Sequence, residues 1–287
     1  MEQAEQLKEL LERLYAKYNR AELIPPDPLQ FLYKYSNPAD REVVAFLSAA
    51  LAYGRVEQIE KSLTGLFSRM GESPYAFVKD FGEAEREKLS SYKHRFTTGQ
   101  DISDLLQVFR EVFEQRGCIE SYFLLGYSET DSNTLAALSK FSASLLGMYA
   151  ERHGGQISRG LKYLLPDPSA GSACKRLNLF LRWMVRKDEL DLGLWNSIDK
   201  AKLIVPVDVH MARLCKVLGF HSRRTASLST ALEITQSFAE IEPADPVKYD
   251  FALSRIGILE DCNGQRRSGC ELCELLEYCL KRTDWAK

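Results

Sequence analysis

The chain has 287 residues, 45% hydrophobic and 27% charged, with a net charge of −2, the composition of a globular protein with a substantial core. The densely charged start MEQAEQLKELLERLYAKY lacks the basic-then-apolar order of a signal peptide, and no apolar run reaches the length of a membrane span. A cytoplasmic protein with no membrane partner is therefore expected, and seven cysteines, an odd number, suit thiols or a metal site better than a disulfide framework.

Helical periods dominate along the chain. After the break IPPDP (24–28), DREVVAFLSAALAYG, Asp40 to Gly54, is apolar nearly all round and predicts a central buried helix ending at Gly54. KHRF, Lys93 to Phe96, is basic and aromatic but too short to carry a reading. In ISDLLQVFREVF, Ile102, Leu105, Leu106, Phe109, Val112 and Phe113 recur at helical spacing, and TLAALSKFSASLLGMY does the same through Leu135, Leu138, Phe141, Leu145 and Tyr149. The breaks GYSETDSN (126–133), HGG (153–155) and PDPSAGS (166–172) are too short to be flexible linkers. Convincing period-2 strands are absent, so the expected fold class is all-α, as two helical lobes packed together.

From Ser158 to Lys187 seven cations face a single acid, Asp167, which can be an electrostatic footprint for phosphate or simply a solvated helix face. A helix beginning near Ser172 puts Lys175 in its first turn, with Asn178, Arg182 and Arg186 forming one polar, mostly basic stripe. The dipole and the neighbouring Arg176 both disfavour the charged form of such a lysine, and a neutral amine is what a Schiff-base nucleophile needs. Taken alone, Lys175 reads more simply as one more solvent-facing cation. Trp183 and Trp195 could stack on a flipped base, although tryptophans at helical spacing are more often core.

Further on, VPVDVHMARLCKVLG places Asp208 to cap a helix starting at Val209. DPVKYDFALSRIGI opens on an Asp-Pro start signal and runs to about Leu259. The strongest local signal is CNGQRRSGCELCELLEYC, in which Cys262, Cys270, Cys273 and Cys279 are spaced C-x7-C-x2-C-x5-C around a basic loop carrying Arg266 and Arg267. Zinc usually takes two tight C-x2-C knuckles. One tight pair between wider gaps suits a [4Fe–4S] cube, whose four corners need separate sulfurs, with zinc as the alternative.

A lysine at a helix start, an aspartate before a later helix and a C-terminal four-cysteine loop stand here in one order. In that order the chain resembles the helix-hairpin-helix DNA glycosylase superfamily, in particular the endonuclease III and adenine-glycosylase branch with its iron–sulfur cluster. AFLSAALAYGRVEQIEKSLTGLF is similar to that family's early core helix, GSACKRLN to its Gly-x-Gly-x-Lys-Thr-Ala-Asn stretch, VPVDVHMARLCKVLG to its Val-Asp-Thr-His-Val-x-Arg motif, and FALSRIGILEDC to the lead into the cysteine loop. The resemblance implies a two-lobed fold, with 37–187 as the middle lobe and 1–36 joined to 188–287 as the other. It also implies a monomer acting on double-stranded DNA, with the target nucleotide flipped into the cleft between the lobes. Lys175 would attack the sugar C1′, and Asp208 would accept a proton or stabilise positive charge on the sugar. Arg55, Arg176, Asn178, Arg182, His210 and Arg213 are the expected DNA contacts, and the four cysteines the cluster ligands.

The departures are specific. Ala173 stands at the hairpin's second glycine, and Cys174 and Arg176 stand at its arginine and threonine positions. Lys175 and Asp208 are 33 residues apart, farther than in endonuclease III and similar to an archaeal 8-oxoguanine glycosylase subgroup. The intervening KDELDLGLWNSIDKAK must fold back for the two groups to meet. Ala50 stands where endonuclease III has a glutamine that probes the helix stack, with Tyr53 and Arg55 nearby. The rival expectations are a nucleic-acid-binding protein on a glycosylase scaffold without excision activity, and a cluster-bearing protein acting on RNA or a nucleotide.

Overall fold

The computed structural model describes residues 2–259, 262, 264, 265 and 268–280. Arg266 and Arg267 lie outside the described residues. The described elements run α1 (Glu2–Tyr18), α2 (Pro38–Ala50), α3 (Val56–Met70), α4 (Pro74–Lys79), α5 (Glu83–Leu89), β1 (Lys93–His94), β2 (Thr97–Thr98), α6 (Gly99–Arg116), α7 (Ile119–Phe123), α8 (Leu135–Arg152), α9 (Arg159–Leu164), α10 (Lys175–Val185), α11 (Val209–Val217), α12 (Leu228–Ile241) and α13 (Asp250–Leu259), with short 3-10 turns between them. The protein is mostly helical, as the periodicities predict. Among the described residues no helix is long and apolar enough to cross a membrane.

Helix α2 starts where Asn37 accepts the Ala39 N–H and Pro38 presets the first turn. Its residues from Val43 to Ala50 are all buried, and Phe46 meets Phe109 of α6 edge-on at 4.7 Å and Phe180 of α10 at 5.1 Å. The buried Glu42 accepts N–H bonds from Ile119 and Glu120 at the start of α7 and from the Trp195 indole, each at 2.9 Å. Helix α6 begins with a reciprocal cap between Thr98 and Asp101, and its apolar stripe from Ile102 to Phe113 is buried as its spacing predicts. At the other end of the chain, α1 packs on α12 and α13, and Lys17 and Tyr18 both reach Glu274 in the cysteine segment at 2.8 Å.

Some helix bounds need correction. Helix α2 stops at Ala50, before Gly54, because Leu51 leaves helical backbone and the Ala52 N–H turns back to Ala49. Helix α13 starts at Asp250, since Asp245 is recruited by Arg186 and the intervening residues form turns. KHRF is a hairpin, with β1 pairing antiparallel to β2. Trp183 and Trp195 are fully packed in the core, so neither stacks on a ligand.

Candidate active site

The segment between Lys175 and Asp208 does fold back. The Leu192 N–H donates to Trp183 O at 3.0 Å and the Trp195 N–H to Met184 O at 2.8 Å, laying the return strand along the end of α10. Gly193 makes the turn at φ +57, where an added Cβ would lie 2.5 Å from the Lys187 Cβ. The chain then reaches Asp208 beside the start of α10. Lys175 Nζ and Asp208 Oδ2 are 3.6 Å apart, with the side chains 30% and 40% exposed.

Each group is fixed from its own element. Asp208 is the N-cap of α11, and its Oδ1 accepts the N–H groups of His210 and Met211, both at 2.9 Å. Lys175 is the first residue of α10, preceded by Cys174 in left-handed backbone at φ 46. That strained turn is pinned from outside, because the Leu228 N–H donates to Gly171 O and Ser172 bridges Ser227. A half-exposed ion pair adds only about 0–1 kcal/mol to stability, so its accessibility matters more than its strength.

The pair opens onto a cleft of about 750 Å³ whose walls include Asp27, Tyr53, Arg176, His210, Arg213, Asp250 and Arg255. The cleft also includes Val56, at the start of α3, and Cys262. His210 and Arg213 are exposed there, and Arg55 is exposed beside it at the N-cap of α3.

The remaining expected DNA contacts are placed otherwise. Asn178 is buried and donates to Ala173 O at 2.9 Å, tying down the turn before Lys175. Arg176 turns inward, its Nη1 donating to Ala50 O at 2.6 Å and its Nη2 to Tyr163 O. Burial lowers its pKa from the ordinary arginine value. Arg182 is buried between Asp191 and Asp250, and Arg186 between Asp188, Asp191 and Asp245. The basic stripe on α10 therefore exists, but its two arginines neutralise buried carboxylates rather than facing phosphate.

Burial raises the carboxyl pKa of Asp250, against the pull of Arg182 and Lys175, and likewise that of Asp191 against Arg182 and Arg186. Asp188 goes the other way. Burial opposes its ionisation, yet the Arg186 charge and the Asp191 and Leu190 N–H groups hold it down at about 2.

Asp27, Asp250 and Arg255 line the cleft without having stood out in the sequence. Arg255 donates to Asp27 Oδ2 at 3.2 Å and to Ile24 O at 3.4 Å, so the IPPDP break becomes part of the cleft wall. Charge pairs this remote in sequence carry no local pattern.

Cys262, Cys270, Cys273 and Cys279 border one cavity with Leu214, Val217, Ile256 and Leu275. The last three cysteines lie on or beside two successive 3-10 turns, and the Leu280 N–H fastens the segment to Val217 O at 2.7 Å. Gly264, at φ +77, lies so close to Arg213 that a Cβ would meet its Cγ at 2.7 Å. Among the described residues no three Cys, His, Asp or Glu side chains are gathered closely enough to hold a metal ion. The four thiols line this one cavity without converging on a single point.

A family model described as a protein of unknown function (DUF2400) matches residues 27–259, a span that takes in Lys175 and Asp208 and stops before the four cysteines. No curated protein and no solved structure matches the chain.

Proposed function

The chain belongs to the DUF2400 family, whose function is unknown, and from its site we propose a DNA-repair glycosylase with abasic-site lyase activity, acting on a damaged or mispaired base flipped into the cleft. The observation that carries this reading is the approach of Lys175 Nζ to Asp208 Oδ2 within 3.6 Å at an open cleft. A base can reach such a site only out of the stack.

In the proposed reaction Asp208 takes a proton from the Lys175 ammonium, leaving an amine to attack C1′ of the sugar. The electron pair of the glycosidic bond leaves with the base, which takes that proton from Asp208, and the regenerated carboxylate stabilises the positive charge on the aminated sugar. The C1′–O4′ bond then breaks as the C1′=N bond forms, O4′ keeping the electron pair and taking a proton from the nitrogen, which leaves a protonated Schiff base on Lys175. Two helix N–H groups hold the carboxylate in place, so little reorganisation is needed during the reaction. His210, Arg213 and Arg55 are the exposed side chains best placed to meet phosphate, whereas Asn178, Arg176 and Arg182 support the site from within.

The four cysteines fit a [4Fe–4S] cluster held by Cys262, Cys270, Cys273 and Cys279. When bound, such a cluster supplies a covalent staple for the C-terminal segment and a redox-capable centre. Through Gly264 and Leu280 that segment supports α11, and so Asp208.

Borohydride trapping with a panel of lesion-bearing and abasic duplexes tests the reading. A trapped adduct is expected with the native protein and none with Lys175→Ala. No base release and no adduct with any duplex would refute it, and salt-sensitive binding alone would mark a DNA-binding protein without excision activity.

A further inference from the structure

Of the four KHRF residues in this hairpin, His94 is buried and the other three are exposed. His94 is enclosed, its Nδ1 2.9 Å from Ser62 Oγ and its Nε2 3.0 Å from Tyr53 O. Arg95 takes left-handed backbone at φ 54, and this tight turn leaves Phe96 facing out with 54% of its surface exposed. The hairpin is docked firmly. Tyr53 Oη lies 3.0 Å from His94 O and 2.6 Å from Thr97 Oγ1, and at Gly54 an added Cβ would lie 2.8 Å from Arg95 Cδ.

The Phe96 ring stacks on Tyr53 at 5.0 Å and 26° and meets Tyr163 edge-on at 4.6 Å. Arg176 lies over Tyr163 at 4.1 Å and Tyr53 at 5.3 Å, while Arg95 lies 5.9 Å from Tyr53 and 6.0 Å from Phe96. A lone exposed phenylalanine needs no explanation. One held by two aromatic rings, with the Arg95 guanidinium beside it and that of Arg176 against those two rings, is part of a fixed, cation-rich aromatic surface. Tyr53, Gly54 and Arg176 also line the cleft, so this surface is its rim.

We propose that Phe96, on its hairpin, forms a stacking platform for one unpaired nucleobase of the strand whose neighbouring nucleotide enters the cleft. Every base has a π-face to offer, and the exposed Lys93, Arg95 and Arg55 complement the backbone that carries it. The occupant is therefore a nucleic-acid base rather than an apolar peptide or a lipid chain. The proposal rests on the nucleic-acid partner read above, but not on base excision.

The test uses the full chain and three probes: a single-stranded oligonucleotide with one 2-aminopurine, a duplex with one bulged 2-aminopurine, and heparin as a base-free polyanion. Binding to both oligonucleotides is expected to quench the fluorescence. Phe96→Leu should abolish the quench and weaken oligonucleotide binding about fivefold or more, while heparin affinity and the thermal midpoint stay unchanged. Phe96→Trp should keep the quench. An unchanged quench and affinity in Phe96→Leu, an equal loss on heparin, or no binding to either oligonucleotide overturns the platform. A quench that persists in a protein releasing no base from any duplex overturns the glycosylase reading alone.

Discussion

Asp208 divides its work between its two oxygens, with Oδ1 capping α11 and Oδ2 facing Lys175. The two roles separate by substitution. Asp208→Asn keeps a good cap and removes the charge, so thermal stability should stay near native while single-turnover base release falls about a hundredfold or more. Asp208→Ala loses both, and should show the same kinetic defect with about 1 kcal/mol less stability in urea unfolding. Equal kinetics in the Asn variant and the native protein would reduce Asp208 to a cap. Both candidate residues were legible in the sequence because each sits at a helix start, and helix starts have local signals. Arg255 and Asp250 were not, because their place in the cleft depends on partners more than sixty residues away.

At the scale of elements, α10 is the member that joins chemistry to stability. Its first residue is Lys175, and its later turns carry Arg182, with Arg186 just beyond its end, into a cluster with Asp188, Asp191, Asp245 and Asp250. Removing one partner leaves buried charge uncompensated, so Arg186→Met should lower stability by about 3–5 kcal/mol, measured by denaturant unfolding. Asp188 gives the cluster a pH signature. Its depressed carboxyl contributes stability that is fully present above the ordinary aspartate value of about 3.9 and lost as pH falls toward about 2. Asp188→Asn should therefore flatten the fall in stability across that window, and an unchanged pH profile would show that the carboxylate is not the cause. The periodicity of α10 predicted a polar stripe correctly. It could not say whether the stripe met water, phosphate or aspartates, because side-chain spacing fixes a face and not its neighbour.

Over the whole molecule, the cysteine segment is tied to α1 through Glu274, to α11 through Gly264 and Leu280, and to the cleft through Cys262. Anaerobically purified protein is expected to contain iron and absorb visible light. Cys273→Ser should lower the iron content and the stability of the C-terminal segment to proteolysis, and a colourless, zinc-loaded native protein would overturn the cluster. If Arg213 meets a phosphate, Arg213→Ala should weaken binding similarly across DNA sequences and reduce the salt slope by about one.

The sequence by itself determined the helical class, the start of α11, the buried stripes of α2, α6 and α8, and the crowding of four cysteines, while α10 starts at Lys175, three residues after the expected Ser172. These follow from periodicity, capping and spacing, which act over a few residues. Only the tertiary structure decided that Lys175 and Asp208 share a cleft, that Arg182 and Arg186 are neutralised inside, that both tryptophans are core, and that KHRF is a docked hairpin with Phe96 outward. Those outcomes depend on which distant segment arrives to pack or pair, and burial and charge are settled only when it does.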